Sequence, residues 1–475
     1  KTNKNKGGKI SVKDIILRII EELVKKILQK IEEGGLSDID QFSSESLELC
    51  KASIRELISE IVNRLNEELR SNKKFRREIG LSLKEKERER SIFNDVGYIN
   101  IKRDYYYDKE RKGYIYPIDL MLGITPYERV GSNVSARLVM QAAEVSYEKS
   151  AAIVTGGEVS KQTVKNKIVT VGSLEKEAPV EKRVVKELHV FADECHAPLQ
   201  EGRNRVVPLI TISEGVRAIG GRKELINPVH FTAPIKGTKE AWENVGGYVS
   251  RAYDESQIER IYLHGDGASW IKQGVDELPN CKFVIDSFHF EKHLKQATAA
   301  FSKQNYRLRI RQAIIEKDKG KAIRLVNEMV TLSEEPKRAK SIRKFRSYLL
   351  NNWEGIVRRY TEGIIGSCTE ALVSHVYSER LSRNPMGWSD EGLHKMAELR
   401  VYTRNGCVVT AKDFKRTKQE KERSIFKEYA QERIREAIDG YLDWSIFEKE
   451  QYNLPTNSPT QILIRSYGRL RSLVG

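Results

Sequence analysis

Between residues 187 and 298 the hydrophobic pattern changes its period in a fixed order, and that order narrows the available folds more than any other feature of the chain. "ELHVFADECHA" (187–197), "RVVPLITIS" (205–213) and "NPVHFTAP" (227–234) are three short apolar runs separated by Gly-containing turns, the pattern of an antiparallel meander. "TKEAWENVGGYVSRAYDE" then has helical spacing. "ERIYLHGDG" reads as a strand, "ASWIKQGVDEL" as a helix, "CKFVIDSFH" as a strand, and "FEKHLKQATAAF" opens another helix. The order is β-β-β-α-β-α-β-α. Right-handed crossovers then make the last two strands parallel to the first.

This is the order of a ribonuclease-H-like mixed sheet. The expected fold class is α/β, with a helical insertion in the sheet domain and helical and small β-rich segments ahead of it. In such a sheet the first and fourth strands are neighbours, which brings Asp193 at the end of "VFAD" to the same sheet surface as Asp266 in "YLHGDG". Gly265 and Gly267 around Asp266 are read as a sharp turn that frees its carboxylate. A third carboxylate has to come from a later helix. "IGSCTEALVSHVYSERLSRNPMGWS" (364–388) offers Glu370 near a helix start, with Ser367 or Thr369 as N-cap and Glu379 as a competitor. Oxygen-only ligands of this kind suit Mg²⁺ or Mn²⁺. Two ions about 3.5–4 Å apart would serve a phosphodiester displacement. Each acid also has an ordinary reading: Asp266-Gly267 as a turn, Asp193-Glu194 as a strand end, and Glu370 as a first-turn charge that complements the helix dipole.

Lys and Arg outnumber Asp and Glu by 83 to 67 among 475 residues, a formal charge of +16, which points to a polyanionic partner, DNA first. Residues 295–347 hold 15 Lys or Arg against 5 Asp or Glu, so most of the excess is local. Within this expected basic helical insertion (295–363), Arg307, Arg309, Arg311, Lys337, Arg338, Arg343 and Lys344 are candidate DNA contacts. Tyr306, Phe345 and Tyr348 are either base contacts or helix core. A second candidate lies in residues 126–180, where "SYEKSAAIVTGGEVSKQTVKNKIVTV" reads as helix, Gly156-Gly157 turn, and a helix capped by Ser160. As a helix-turn-helix it would present Lys161, Gln162, Thr163, Lys165 and Asn166 to a major groove, although two packed helices would have the same pattern.

Residues 1–92 are expected to be a helical region for dimerisation or DNA binding. Ile15, Ile16, Ile19, Ile20, Leu23, Ile27 and Ile31 form one apolar stripe, and a second helix runs from about 44 to 71. The basic stretch "NKKFRREIGLSLKEKERER" that follows has no clear apolar face and reads as connector or DNA-facing surface. Residues 93–125 form a β-rich hairpin segment, "YINIKRDYYY" and "YIYPIDLML" being its strands. The sheet domain would occupy 185–294 and, after the insertion, 364–455, leaving a tail at 456–475. No stretch approaches the length of a spanning helix, so no membrane partner and a cytoplasmic, nucleoid-associated protein are expected. Cys50, Cys195, Cys281, Cys368 and Cys407 form no Cys-x-x-Cys pair and read as free thiols. "HFEKH" spaces His289 and His293 for zinc, but Glu291 is one position late for a metalloprotease motif.

"HVFADECHAPLQ", "YLHGDGASWIK", "DSFHFEKHL" and "SCTEALVSHVYSERLSRNPMGWSDEGLHKMAELRVYTRNG", in this order, resemble the ISLre-two family of bacterial insertion-sequence transposases, also catalogued as an uncharacterised protein family. The Asp286-x-x-His289 spacing is similar to a signature of the more distant Mutator-type transposases. The resemblance runs from about residue 96 to 406. It implies a DD(E) triad that falls on Asp193, Asp266 and Glu370, with His289 contacting the scissile phosphate or supporting the site. It also implies two Mg²⁺ or Mn²⁺ ions, terminal inverted repeats and target DNA as partners, and a homodimer or higher oligomer. Ala371-Leu372 stands where the family pattern has Gly-His, and "SRNP" where a shorter Arg-Pro step is usual. The alternative is a domesticated descendant that binds DNA without cutting it.

Overall fold

The computed structural model describes residues 12–219, 222–232, 237–364, 368–383, 387–414 and 423–439. The chain divides into two compact units, one of residues 1–136 and 414–475, the other of residues 137–413.

In the first unit, helix α1 (Val12–Glu32) and helix α2 (Ile39–Ser71) pack on each other. Asp38 caps α2 by accepting from the Asp40 and Gln41 N–H groups at 3.0 Å. Ile15 and Ile19 are buried, and Arg18 of α1 reaches Glu56 and Glu60 of α2. The short helix α3 (Lys73–Glu78) leads into a three-stranded antiparallel sheet of β1 (Leu81–Asn94), β2 (Gly97–Asp108) and β3 (Gly113–Ile115), with β2 central. The stretch read as a connector is thus α3 and an edge strand. Backbone pairing with β2 holds β1, so its middle needs no apolar face, and exposed charges suit an edge. The second expected strand stops at Ile115, because Pro117 starts helix α4 (Pro117–Leu122), where a missing N–H costs nothing. Val62, Leu65 and Leu69 of α2, Ile99, Ile101 and Tyr106 of β2, and Ile118 and Leu120 of α4 form the core. Helix α5 (Ser132–Glu144) contains the boundary between the units.

The second unit begins with α6 (Tyr147–Thr155) and α7 (Lys161–Thr170), joined by Gly156 and Gly157 at φ +63° and +89°. Ser160 caps α7 by accepting from the Thr163 N–H at 3.2 Å. A mixed five-stranded sheet follows, in the order β10-β9-β4-β5-β8, from β4 (Glu187–Pro198), β5 (Asn204–Ser213), β8 (Val229–Thr232), β9 (Arg260–Gly265) and β10 (Cys281–Ile285). The expected meander β4-β5-β8 is antiparallel; β9 and β10 join parallel to β4. A small hairpin, β6 (Val216–Ile219) and β7 (Arg222–Leu225), interrupts the meander, where only a turn was expected.

Alternation along β4 sends Leu188, Val190 and Ala192 to one face and His189, Phe191 and Asp193 to the other. The first face, with Ile261 and Leu263 of β9, is covered by Trp242, Val245 and Val249 of α8 (Thr238–Ala252). Between β9 and β10 lie the short helices α9 (Ser269–Lys272) and α10 (Gly274–Glu277). Beyond β10, helices α11 (Ser287–Thr298), α12 (Tyr306–Ile315), α13 (Lys319–Thr331), α14 (Pro336–Asn351) and α15 (Trp353–Thr361) share a core of their own. Tyr306 and Phe345 belong to this core and are 1% and 4% exposed, which removes them as base contacts. Their helices are amphipathic, and the aromatics fall on the apolar side.

Helix α16 (Thr369–Val373) runs through a π-helical turn, Ser374–Ser378, into α17 (Glu379–Leu381), and α18 (Asp390–Arg404) follows. The wider turn leaves carbonyl oxygens that buried Arg400 takes up, donating to Val376 O at 2.7 Å and His375 O at 2.8 Å. The same guanidinium donates to Ala143 O at the end of α5. Of the residues read as the "SRNP" step, Asn384 and Pro385 lie outside the described residues, as do Ser367 and the tail 456–475. Among the described residues no helix is long and apolar enough to cross a membrane, and all five cysteines are free thiols.

Candidate metal centre

The parallel strands β9 and β10 each end at an acid on one edge of the sheet, whereas Asp193, expected at the end of its strand, lies inside β4, which runs on along β5 to Pro198. Asp193 lies two residues beyond the last β4–β9 pair, Phe191 with His264. Asp266 directly follows Gly265, and Asp286 directly follows Ile285, which pairs with Gly265. Gly265 is not the turn residue expected. It ends the strand, and a Cβ there would stand 2.7 Å from Ile271 Cγ2. Gly267 does turn, at φ +96°, and a Cβ on it would lie 2.4 Å from Asn352 Oδ1.

Asp286 caps α11 by accepting from the Phe288 N–H at 2.9 Å, so His289 sits one helical turn on, and its Nδ1 is 2.8 Å from Asp286 Oδ2. The same oxygen accepts from Thr369 Oγ1 at 2.6 Å. Thr369 precedes Glu370, so one buried carboxylate ties the helix of His289 to the helix of Glu370. The helix begins after Cys368, which makes no side-chain cap, and Thr369 serves this bond instead of capping.

Asp193, His289 and Glu370 each bring a ligand atom, all within 4.8 Å of one another. Asp193 is buried, His289 half-buried and Glu370 exposed, so the group opens to solvent on one side. Asp266 is not one of the three. Its Oδ1 accepts from the Ala268 N–H at 2.8 Å, yet its charge acts on both Asp193 and His289. Burial pushes the Asp193 carboxyl up to about 6, against the Glu194 N–H and His289, with Asp266 and Asp286 adding to the rise. For Asp286 burial acts in the same sense, but the bonds from His289, Thr369 and the Phe288 N–H outweigh it and hold its pKa low. The Asp286 bond raises the His289 imidazole in turn. None of the ion pairs among the described residues joins Asp193, Asp266 or Glu370 to a lysine or arginine. Clustered carboxylates with no arginine of their own and an imidazole beside them fit a divalent cation.

The remaining candidates separate into paired and open groups. Glu291 accepts from Arg307 at 3.1 Å, from Arg311 Nε at 3.0 Å and from Tyr360, so these arginines are tied within the helical region and Glu291 faces away from the histidines. Arg309 lies over the Tyr306 ring. Lys337, Arg338, Arg343 and Lys344 are exposed on α14, Arg338 pairing with Glu335. On α7, Lys161 and Gln162 are exposed and Thr163 and Lys165 half-buried. The His293 ring packs against that of Tyr348, tilted by 46° with centroids 4.7 Å apart. Sequence reasoning missed Asp286 as a site residue. An Asp right after a strand with His three places on, at N-cap and N3 of the next helix, was the available signal.

The model of one family, described as "Uncharacterised protein family (UPF0236)", matches residues 21–419. A UPF0236 protein of Caldanaerobacter subterraneus subsp. tengcongensis, whose name joins eleven designations, is 36% identical over 399 residues, covering 83% of this chain and 84% of its own. A second from the same organism is 37% identical over 393 residues, covering 82% and 83%. A UPF0236 protein in vanSb 3'region of Streptococcus gallolyticus is 24% identical over 387 residues, covering 78% and 83%.

Proposed function

Because the chain belongs to the uncharacterised protein family UPF0236, whose name states no activity, we propose a function from its site: a DD(E) transposase with a ribonuclease-H-like core, which cuts and joins DNA. The observation that carries the reading is the meeting of Asp193, His289 and Glu370, from three separate parts of the chain, at the carboxyl end of the parallel strands. The strand order β10-β9-β4-β5-β8, with its antiparallel meander and parallel crossovers, supports the fold. The exposed basic face of α14 and the α6–α7 pair support DNA as the partner. A relative carried under eleven designations in one organism supports a self-copying element.

Divalent ions, Mg²⁺ or Mn²⁺, would supply activation of the attacking oxygen and stabilisation of the leaving one. In this reading Asp193, Asp266 and Glu370 hold them. Asp193 anchors the buried end and Glu370 the open one. Asp286 fixes the His289 ring through Nδ1, so the imidazole stays beside Asp193 and Glu370 without swinging. Water would first open the phosphodiester at the element end, and the freed 3'-hydroxyl would then attack target DNA. The test is cleavage and joining of element-end DNA with Mg²⁺ or Mn²⁺. Asp193→Asn is expected to lower the rate at least about a hundred-fold, or about 2.7 kcal/mol. Undiminished activity in that variant overturns the reading.

A further inference from the structure

We infer that the centre binds one of its ions through a nitrogen as well as oxygens, with His289 as a ligand beside Asp193 and Glu370 and with Asp286 as the residue that positions it. The inference rests on the metal-dependent reading above and goes beyond its three carboxylates. Three observations carry it. First, the group whose ligand atoms lie within 4.8 Å contains the histidine and leaves out Asp266. Second, the His289 Nδ1 is engaged by Asp286 Oδ2 at 2.8 Å, which assigns the proton to Nδ1 and leaves Nε2 as the lone-pair nitrogen. Third, Asp286 is held so firmly that it cannot follow the ring. It is 1% exposed and accepts from the Phe288 N–H at 2.9 Å and from Thr369 Oγ1 at 2.6 Å.

A carboxylate behind an imidazole is the usual support of a metal-bound histidine. It fixes the tautomer, sets the ring plane and raises the basicity of the far nitrogen. Here the support does a second thing. Thr369 and Glu370 are consecutive, so the carboxylate that sets the nitrogen ligand also anchors the strand-distant oxygen ligand. An imidazole in the donor set moves preference away from Mg²⁺, which keeps to oxygen, toward first-row transition ions such as Mn²⁺ and Co²⁺.

The experiment uses the full chain with Mn²⁺ alone, read by calorimetry and by the ¹⁴N modulation of the bound ion's electron spin echo. The parent is expected to bind Mn²⁺ with histidine-type ¹⁴N coupling. His289→Gln, at a side chain 19% exposed, keeps the fold by circular dichroism, loses the coupling and loses about 10–100-fold in Mn²⁺ affinity, while Mg²⁺ affinity changes less. Asp286→Asn is expected to lose a similar factor, and Thr369→Val a smaller one. Mn²⁺ bound without ¹⁴N coupling, or coupling that survives His289→Gln, overturns the inference, as does a chain that binds no Mn²⁺. Failure here and failure of the transposase reading are separable. DNA cleavage by an all-oxygen Mn²⁺ site removes only the nitrogen ligand. A nitrogen-ligated ion in a protein that cuts no element-end DNA removes only the transposase.

Discussion

Both units bury aspartates, and they treat them in opposite ways. In the first, Asp104 is fully buried and saturated. Arg70 grips both its oxygens at 2.7 and 2.9 Å, Asn66 donates at 3.1 Å and the Glu87 N–H at 2.9 Å, and these bonds outweigh burial and hold its pKa below the usual value. In the second, Asp193 is buried beside Asp266, Asp286 and Glu370 with one imidazole and, among the described residues, no arginine pair, and its pKa is pushed up to about 6. A carboxylate matched by arginine holds helix α2 to strand β2. A group of carboxylates left unmatched has room for a cation from outside.

The largest expected difference is in stability. Asp104→Ala removes the buried partner of Arg70, leaving it the half-exposed Glu87, and should cost about 3 kcal/mol in urea unfolding, whereas Asp193→Asn, without divalent ions, should be neutral or stabilising because it removes repulsion. Similar losses in both would break the comparison. The pH slopes should also be opposite. Asp193, raised from 3.8 to about 6, binds its proton more tightly when folded, so stability falls as pH rises from about 4 to 6, by about 3 kcal/mol at most. Asp104 is lowered, so its contribution is present above 3.8 and lost as pH falls below its folded value. In EDTA, urea midpoints of the parent and of Asp193→Asn between pH 4 and 7 measure the first slope, which should vanish in the variant.

A smaller effect sharpens the contrast, since backbone geometry rather than counter-charge holds the open site. Gly267→Ala forces a Cβ toward Asn352 at positive φ and should cost about 1–3 kcal/mol in thermal unfolding, with slower cleavage. The smallest concerns the helical region. Lys344→Gln, an exposed cation, should weaken DNA binding across sequences and reduce the slope of log affinity against log salt by about 1. Arg311→Gln, tied to Glu291, should leave that slope unchanged and lower stability instead.

The parts of this that were legible in the sequence share a cause. The apolar runs of β4, β5 and β9 are buried on both sheet faces, so their pattern carries the strands together with the acids they hold, Asp193 inside β4 and Asp266 directly after β9. Strand β1 was not legible, because an edge strand held by backbone bonds leaves no hydrophobic signature. Tyr306 and Phe345 were ambiguous because a basic amphipathic helix and a nucleic-acid surface have one composition, and only packing separates them. The π turn after Glu370 depends on Arg400, a partner from another helix that no local pattern announces. Asp286 was visible as spacing but not as a joint between His289 and Thr369, since its second partner is 83 positions away.

That distance has a consequence in time. Asp193 and Asp286 leave the ribosome well before Glu370, with the whole helical region α11–α15 made in between. At usual synthesis rates the gap between Asp193 and Glu370 is on the order of ten to thirty seconds. Under the proposed function, a chain that has passed α14 but not reached Glu370 would carry the basic helices with an incomplete set of donors. In that reading a product interrupted there would occupy DNA without cutting it, and chain length itself would act as the last safeguard before the centre closes.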